Sequence, residues 1–359
     1  MILKLFRRLE WGPNPDLEIG RHLTEQMKFE RIPKLAGAIE YERPGNPPAT
    51  MAILQGLVSH QGGAWERTLE ELTRYYEECV GRRLPARKWL GDGRSLLDLA
   101  ESETPASVSE AIGLYLNSAS MLGKRTAELH VALAAVTDDP AFAPELLTAD
   151  DMGRLATELR EHASQVFEEL KGNLAHLPDD IIDEASLVLG QRRRLLDRFR
   201  DLEMTEVKAV KIRVHGDYHL GQVLCVKNDY VILDFEGEPA RSLAARRSKY
   251  PALKDVASML RSFSYAAIGA LLAYTARRPD DLERLRVWAI LWERWTSAAF
   301  LRAYLVTAGD ASFLPLEKSS LRRLLEAFLL DKALYELRYE LNNRPSWVRI
   351  PLSGILSLA

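Results

Sequence analysis

The sequence predicts an α+β fold of two unequal lobes, a small sheet in front and a large, mainly helical body behind it. Three observations predict this. Short β-like runs punctuated by Pro/Gly turns are confined to residues 1–58. From Trp65 onward, apolar residues recur at three- and four-residue spacing over long stretches, as helices burying one face require. Midway, that pattern is interrupted by a hairpin signal: an apolar run over 222–226, a polar turn Lys227-Asn228-Asp229, and a second β-rich run over 230–235. With 47% hydrophobic and 28% charged residues in 359, the chain has the composition of a soluble globular protein with material for a sizeable core.

Taken in order, Met1-Ile2-Leu3-Lys4-Leu5-Phe6 reads as a strand with Lys4 set among apolar residues. Gly12-Pro13-Asn14-Pro15 is a turn opening a helix, with Asn14 as N-cap and Pro15 at the first helical position. Glu18, early on that helix, is the candidate partner of Lys4; the alternative is a capping carboxylate favoured there by the helix dipole. Residues 36–41 and 50–54 are short strands around the turn 43–48, completing a small sheet. Gln55-Gly56-Leu57-Val58 then reads as the hinge leaving it. Helices are expected over 65–80, 108–136, 149–173, 179–203, 251–276, 280–308 and 316–342. Residues 82–98 are irregular around Gly91-Asp92-Gly93, and the prolines of 344–352 predict an extended tail. His130 is expected to be a packed helical histidine. Asp255 has two readings, a helix cap or a brace for the loop that precedes the hairpin.

Net charge is −3, which gives no electrostatic footprint for nucleic acid. Arg192-Arg193-Arg194 and Arg246-Arg247 read as solvated faces. Two cysteines, Cys79 and Cys225, argue for a reducing compartment and against a disulfide scaffold. The apolar stretch at 265–274 is too short for a bilayer, and Arg7-Arg8 break any signal-peptide plan. A cytoplasmic protein with no membrane partner is expected.

The chemistry concentrates on the hairpin. His215-Gly216-Asp217 leads into it and Asp217-x-x-x-x-Gln222 spans its entry; Asp234-Phe235-Glu236-Gly237 ends it. A hairpin returns the chain to its start, so Asp234 should come back beside Asp217 and Gln222. Protein kinases use Asp-x-x-x-x-Asn for the catalytic base and a magnesium ligand, and Asp-Phe-Gly for a second metal ligand. Two carboxylates and an amide oxygen suit Mg²⁺, which shares hard oxygen ligands with phosphates. On this reading Lys4 takes the place of the strand lysine that steadies nucleotide phosphates, and Gln55 and Leu57 offer backbone groups to adenine from the hinge. On the last helix Lys332, Tyr335 and Tyr339 share one face, with Arg344 and Trp347 following. Aromatic faces and planar polar groups are what sugars bind; the alternative is a helix packed by its tyrosines and capped by Asn342-Asn343.

These stretches together resemble bacterial maltokinase, a kinase of the aminoglycoside phosphotransferase-like superfamily often fused to trehalose synthase. The resemblance is carried by residues 3–9, 14–18, 215–224, 234–239, 254–262 and, most specifically, 332–352. It implies a eukaryotic-like kinase fold with a truncated N-lobe over 1–58 and a helical C-lobe over 59–359. It also implies ATP- and Mg²⁺-dependent phosphorylation of maltose to maltose 1-phosphate, feeding glycogen synthesis, with trehalose synthase as a partner. The roles it implies are catalytic base for Asp217, magnesium ligands for Gln222 and Asp234, phosphate binding for Lys4, and sugar contacts for Lys332, Tyr335, Tyr339 and Arg344. His219 and Glu236 are assigned to the substrate side. Maltokinases carry a glycine-rich phosphate loop before the lysine strand; none precedes Met1 here, so weak nucleotide binding is expected. The competing readings are another small-molecule kinase (aminoglycoside or choline), a non-catalytic pseudokinase module attached to trehalose synthase, and a purely structural helical domain.

Overall fold

The computed structural model describes residues 1–90 and 93–358. The expected irregularity at Gly91 and Asp92 lies outside these residues. The front sheet has three antiparallel strands, β1 (Ile2–Leu5), β2 (Leu35–Tyr41) and β3 (Ala49–Gln55), in the order β1-β3-β2. Between β1 and β2 lies α1 (Pro15–Arg21), prolonged as a wider π-type turn over His22–Gln26. Asn14 caps α1 through its side chain, accepting from the Asp16 and Leu17 amides, and Pro15 occupies the first turn. The strand–helix–hairpin order follows the sequence reading.

The chain leaves β3 at Gly56, whose amide donates to the Lys34 carbonyl, and enters α2 (Ala64–Cys79). Next come α3 (Leu96–Glu101), α4 (Ala106–Ile112) and α5 (Tyr115–Leu133). The single helix expected over 108–136 is two. Gly113 at φ 69° ends α4, since only glycine adopts that left-handed backbone without strain. Strand β4 (Glu145–Leu146) pairs later with β5 (Val210–Lys211). Between them lie α6 (Ala149–Asn173), α7 (Asp179–Gly190) and α8 (Arg192–Asp201). The helix expected over 179–203 breaks at Gln191, leaving α8 to pack against α6.

The central hairpin is β6 (Val223–Val226) and β7 (Asp229–Ile232), paired Val223 to Ile232. It is tied to the front lobe twice. In the hinge-exit segment, the Gln61 amide donates to the Cys225 carbonyl and the Gly62 carbonyl accepts from the Cys225 amide, and the Ile232 amide donates to the Arg31 carbonyl. Helix α9 (Leu243–Arg247) precedes α10 (Leu253–Thr275), α11 (Leu282–Ala308), α12 (Lys318–Asn343) and α13 (Arg349–Leu358). The tail is therefore helical rather than extended. Pro345 opens a short 3-10 turn, and Pro351 falls in the first turn of α13, where the missing N–H has no intrahelical partner to lose.

The core lies where α2, α5, α10 and α11 meet, filled by Tyr76, Phe263, Trp292, Phe300 and Tyr304. Helices α5 and α11 approach so closely at Gly123 that a Cβ there would sit 2.1 Å from the Phe300 carbonyl oxygen. Among the described residues α10 is the one helix long and apolar enough to cross a bilayer, contrary to the shorter apolar run read from sequence. Its apolar window is 78% buried within the fold, which makes it the helix the others pack around.

Candidate active site

The loop that carries Asp217 is held by its backbone. The Asp255 carboxylate, buried on α10, accepts from the His215 amide at 2.7 Å and the Gly216 amide at 2.9 Å. His130 on α5 approaches the same carboxylate at 3.1 Å and, through its other nitrogen, the Tyr304 hydroxyl at 2.9 Å. The brace reading of Asp255 is thus the one the geometry takes, and His130 is packed, as expected, behind it. Burial works to raise the Asp255 pKa, but His130, His215 and the Gly216 amide more than offset it. Ser262, also on α10, fixes the other end of the loop by accepting from the Leu220 amide.

Across the hairpin, Gln222 donates through its side-chain amide to Asp234 at 3.0 Å, and the Leu233 amide bonds the Gln222 carbonyl. The return of Asp234 to Gln222 is what the hairpin spacing predicts. Asp234 adopts φ 64°, a left-handed conformation that is uncommon outside glycine and turns its carboxylate off the strand direction.

Lys4 reaches this motif from β1. Its ammonium lies 2.5 Å from Asp234, 2.7 Å from Asp16 and 2.6 Å from Glu236. Burial opposes the lysine charge, and Asp16 and Asp234 still raise its pKa. Asp234 is lowered, since Lys4 outweighs the effect of burial. Glu236 is raised, chiefly by burial and, against the pull of Lys4, by the neighbouring Asp234 and Asp16 carboxylates. Glu18 does not pair with Lys4: it accepts from Arg247 at 2.8 Å and lies 3.3 Å from Arg213. Residues two apart on a helix point about 200° apart, so one helix cannot present both Asp16 and Glu18 to the same lysine. Asp16, buried, faces the strand and also accepts from the Phe235 amide.

The carboxylates of Asp16, Asp234 and Glu236 offer oxygens within 4.8 Å of one another. An all-oxygen donor set of this kind, with the Gln222 amide beside it, fits a hard divalent cation such as Mg²⁺. Gln55 closes β3 opposite Ile2 and Leu35, and Leu57 is exposed beyond it.

The last helix reaches the loop through Lys332. Its ammonium lies 3.5 Å from Asp217, 3.3 Å from Glu238 and 4.5 Å from the centre of the Tyr335 ring. Burial works to raise Glu238, but Lys332, Lys254 and Arg241 hold it at about 2. His219 stands 3.9 Å from Asp217, and burial, with the His215 and Lys332 charges, lowers its pKa despite the Asp217 carboxylate. Tyr339 is exposed one turn beyond Tyr335. Arg344 is separated from Lys332. Twelve residues of helix place it about 18 Å along the axis from Lys332. Its fork is taken by Glu340 at 2.6 and 2.9 Å, and it lies over Tyr339 and Trp347. Asn342 and Asn343 donate back to the Arg338 and Tyr339 carbonyls, the capping role read as the alternative.

Sequence reasoning missed Asp16, Glu238, Arg213 and the arginine pair of α9. Arg246 and Arg247 were expected on a solvated face, yet the Arg246 side chain is 5% exposed and bonds Glu10 and the Glu236 carbonyl. Two adjacent arginines just past an active-site motif were a signal for internal use, but local composition alone resembles that of any exposed helix.

The fold and this constellation define a kinase-like α+β architecture: a small sheet bearing a lysine, a braced Asp loop and a carboxylate motif closing a hairpin. The fold is shared with glucosamine kinase. The solved structure of that enzyme in complex with glucosamine, ADP and inorganic phosphate aligns over 99% of this chain and 71% of its own, with a TM-score of 0.67 at 23% identity. Glucosamine kinase in crystal form A aligns over 99% of this chain and 70% of its own, with a TM-score of 0.68 at 21% identity. In sequence the chain is similar to glucosamine kinase of Mycolicibacterium smegmatis, 30% identical over 251 residues, which are 69% of this chain and 55% of the relative. It is also similar to glucosamine kinase of Streptacidiphilus jiangxiensis, 28% identical over 234 residues, 65% and 47% respectively. The chain spans about half the length of these curated relatives. No family model matches it.

Proposed function

We propose that the protein transfers the γ-phosphate of ATP to a hydroxyl of a small saccharide. The observation that carries this reading is the chain of contacts Lys4–Asp234–Gln222 on one side of the Asp255-braced loop that presents Asp217. Asp217, carried on the loop whose His215 and Gly216 amides are bonded by Asp255, orients the acceptor hydroxyl and takes its proton. Lys332 beside it keeps the carboxylate aimed and balances its charge. Lys4 steadies the nucleotide phosphates. Asp234, Gln222 and the neighbouring Glu236 and Asp16 would hold magnesium, which would neutralise charge on the transferring phosphate. Such catalysis is mostly positioning and charge stabilisation.

For the acceptor we favour maltose, phosphorylated at its anomeric hydroxyl. Lys332, Tyr335 and Tyr339 run along about 10 Å of α12 from Asp217 outward, a surface longer than one hexose ring. The resemblance of 332–352 to maltokinase points the same way, and trehalose synthase is the partner it implies. Glucosamine is the second reading. It is favoured by the name of the relatives and by Glu238, a buried carboxylate beside Asp217's lysine that could meet an ammonium. An acceptor panel of maltose, glucose, glucosamine, trehalose, choline and kanamycin with labelled ATP tests this. Maltose ahead of glucose is expected. Tyr335→Ala should raise the maltose KM about tenfold or more and leave the ATP KM and kcat nearly unchanged, the signature of lost uniform binding. Glucosamine ahead of maltose would move the assignment to the amino sugar. Kanamycin or choline ahead of both would remove the saccharide reading.

A further inference from the structure

Helix α1 is fastened to the catalytic elements at two positions that face different ways. Asp16 takes Lys4 and the Phe235 amide. Glu18, on the other side, receives both ends of the Arg247 fork at 2.8 Å and the Arg213 guanidinium at 3.3 Å. Arg213 lies four residues ahead of Asp217, on the strand-like entry to the braced loop. Arg247 ends α9, thirteen residues past Asp234. The two arginine-bearing segments are also zipped together, because Ile212 and Tyr250 exchange backbone hydrogen bonds at 3.0 and 2.9 Å. Beside them Arg246 joins α9 to Glu10 and to the Glu236 carbonyl.

Arg213 is the most committed member. It is 1% exposed, lies over the Phe142 ring at 5.3 Å, and among the described residues has no hydrogen-bond partner for its Nε and second terminal nitrogen. A buried guanidinium in that state depends chiefly on Glu18, the carboxylate that hydrogen-bonds it, with Asp139 acting only through its charge; removing the bonded partner of a buried ion leaves most of its charge uncompensated. Arg247 in turn presents a bidentate fork, whose planar geometry fixes orientation as well as distance.

We propose that Glu18 is a positioning residue. It clamps the loop entry at Arg213 and the segment after Asp234 at Arg247 to the helix that anchors Lys4, and so sets Asp217 in register with the nucleotide lysine. The proposal rests on the phosphotransfer reading of the site, and it replaces the expectation that Glu18 contacts the lysine or nucleotide directly. A clamp of this kind affects placement of the base more than nucleotide affinity. A misplacement of about 1 Å can cost roughly 100-fold in rate.

The test uses Glu18→Gln, Arg247→Ala, Arg247→Lys and, for contrast, Lys4→Ala in the full protein. Amide hydrogen exchange is read over residues 210–217, with α5–α11 as the internal reference, and kinetics are read alongside. Glu18→Gln and Arg247→Ala should speed exchange at 210–217 without changing it in α5–α11. They should lower kcat by about 10- to 100-fold with the ATP KM within about threefold. The double variant should be no worse than the poorer single, as partners in one contact are non-additive. Arg247→Lys, which keeps charge and loses the fork, should fall between. Lys4→Ala should raise the ATP KM and leave 210–217 protected. Unchanged exchange in Glu18→Gln, or a loss of Mg·ATP affinity matching that of Lys4→Ala, would overturn the clamp. A wild-type protein that phosphorylates no acceptor would instead sink the phosphotransfer reading, and the exchange measurement would still decide the clamp.

Discussion

The return of Asp234 to Gln222 was legible because a hairpin has one geometric consequence, the return of its ends. Asn14 was legible because an Asn-Pro pair before an apolar run has few uses besides capping. Glu18 was misassigned because Asp16 and Glu18 fall in the same first turns, and nothing local says which one faces β1. Glu238 went unread for a similar reason: its partners Lys332, Lys254 and Arg241 converge from three separate elements. It also yields a pH prediction. A carboxyl held at about 2 in the fold and near 4.5 when unfolded contributes stability above the unfolded value, and this contribution fades as pH falls from about 4.5 toward 2. Glu238→Gln should therefore cost about 3 kcal/mol near neutral pH, since it removes the buried carboxylate shared by Lys332 and Arg241 and leaves them Asp217 and Glu158, and the wild-type and variant stabilities should converge in acid. Chemical denaturation at pH 7 and pH 3 measures it. An equal deficit at both values would show that the lost contribution is packing rather than charge.

At the scale of elements, periodicity located the helices but not their breaks. Gly113 divides α4 from α5 through a backbone angle, and a lone glycine in a helical pattern carries no mark of that angle. The prolines of the tail were read as breakers, whereas Pro345 and Pro351 sit in first turns where proline is tolerated. The packing of α5 against α11 was likewise invisible, since it depends on a backbone-to-backbone approach at Gly123. Gly123→Ala should push the two helices apart and cost about 3 kcal/mol or more, the upper range for an overpacked core. It should also loosen the His130–Asp255 contact, because His130 lies on α5 and Tyr304 on α11. A thermal melt beside an activity assay reads both effects. An unchanged melting temperature would mean that the interface yields without strain.

At the scale of the molecule, a small sheet followed by a mainly helical body was readable from the switch in periodicity near residue 60. The site was readable only in part because it is assembled from β1, α1, the hairpin, α9, α10 and α12, and sequence shows each alone. The face of α12 that meets Asp217 carries Lys332, with Tyr335 against it, whereas the Arg344 fork is taken by Glu340. The central claim is that the braced Asp217 performs base chemistry on an acceptor hydroxyl while the Lys4–Asp234 side holds the nucleotide. The most direct measurement compares wild type with Asp217→Asn for transfer of labelled γ-phosphate from Mg·ATP to maltose and glucosamine, with Mg·ATP affinity measured by calorimetry on the same samples. The account predicts that Asp217→Asn binds Mg·ATP like wild type and transfers phosphate about two to four orders of magnitude more slowly, the range for loss of a general base. An Asp217→Asn protein that transfers phosphate at the wild-type rate would contradict it.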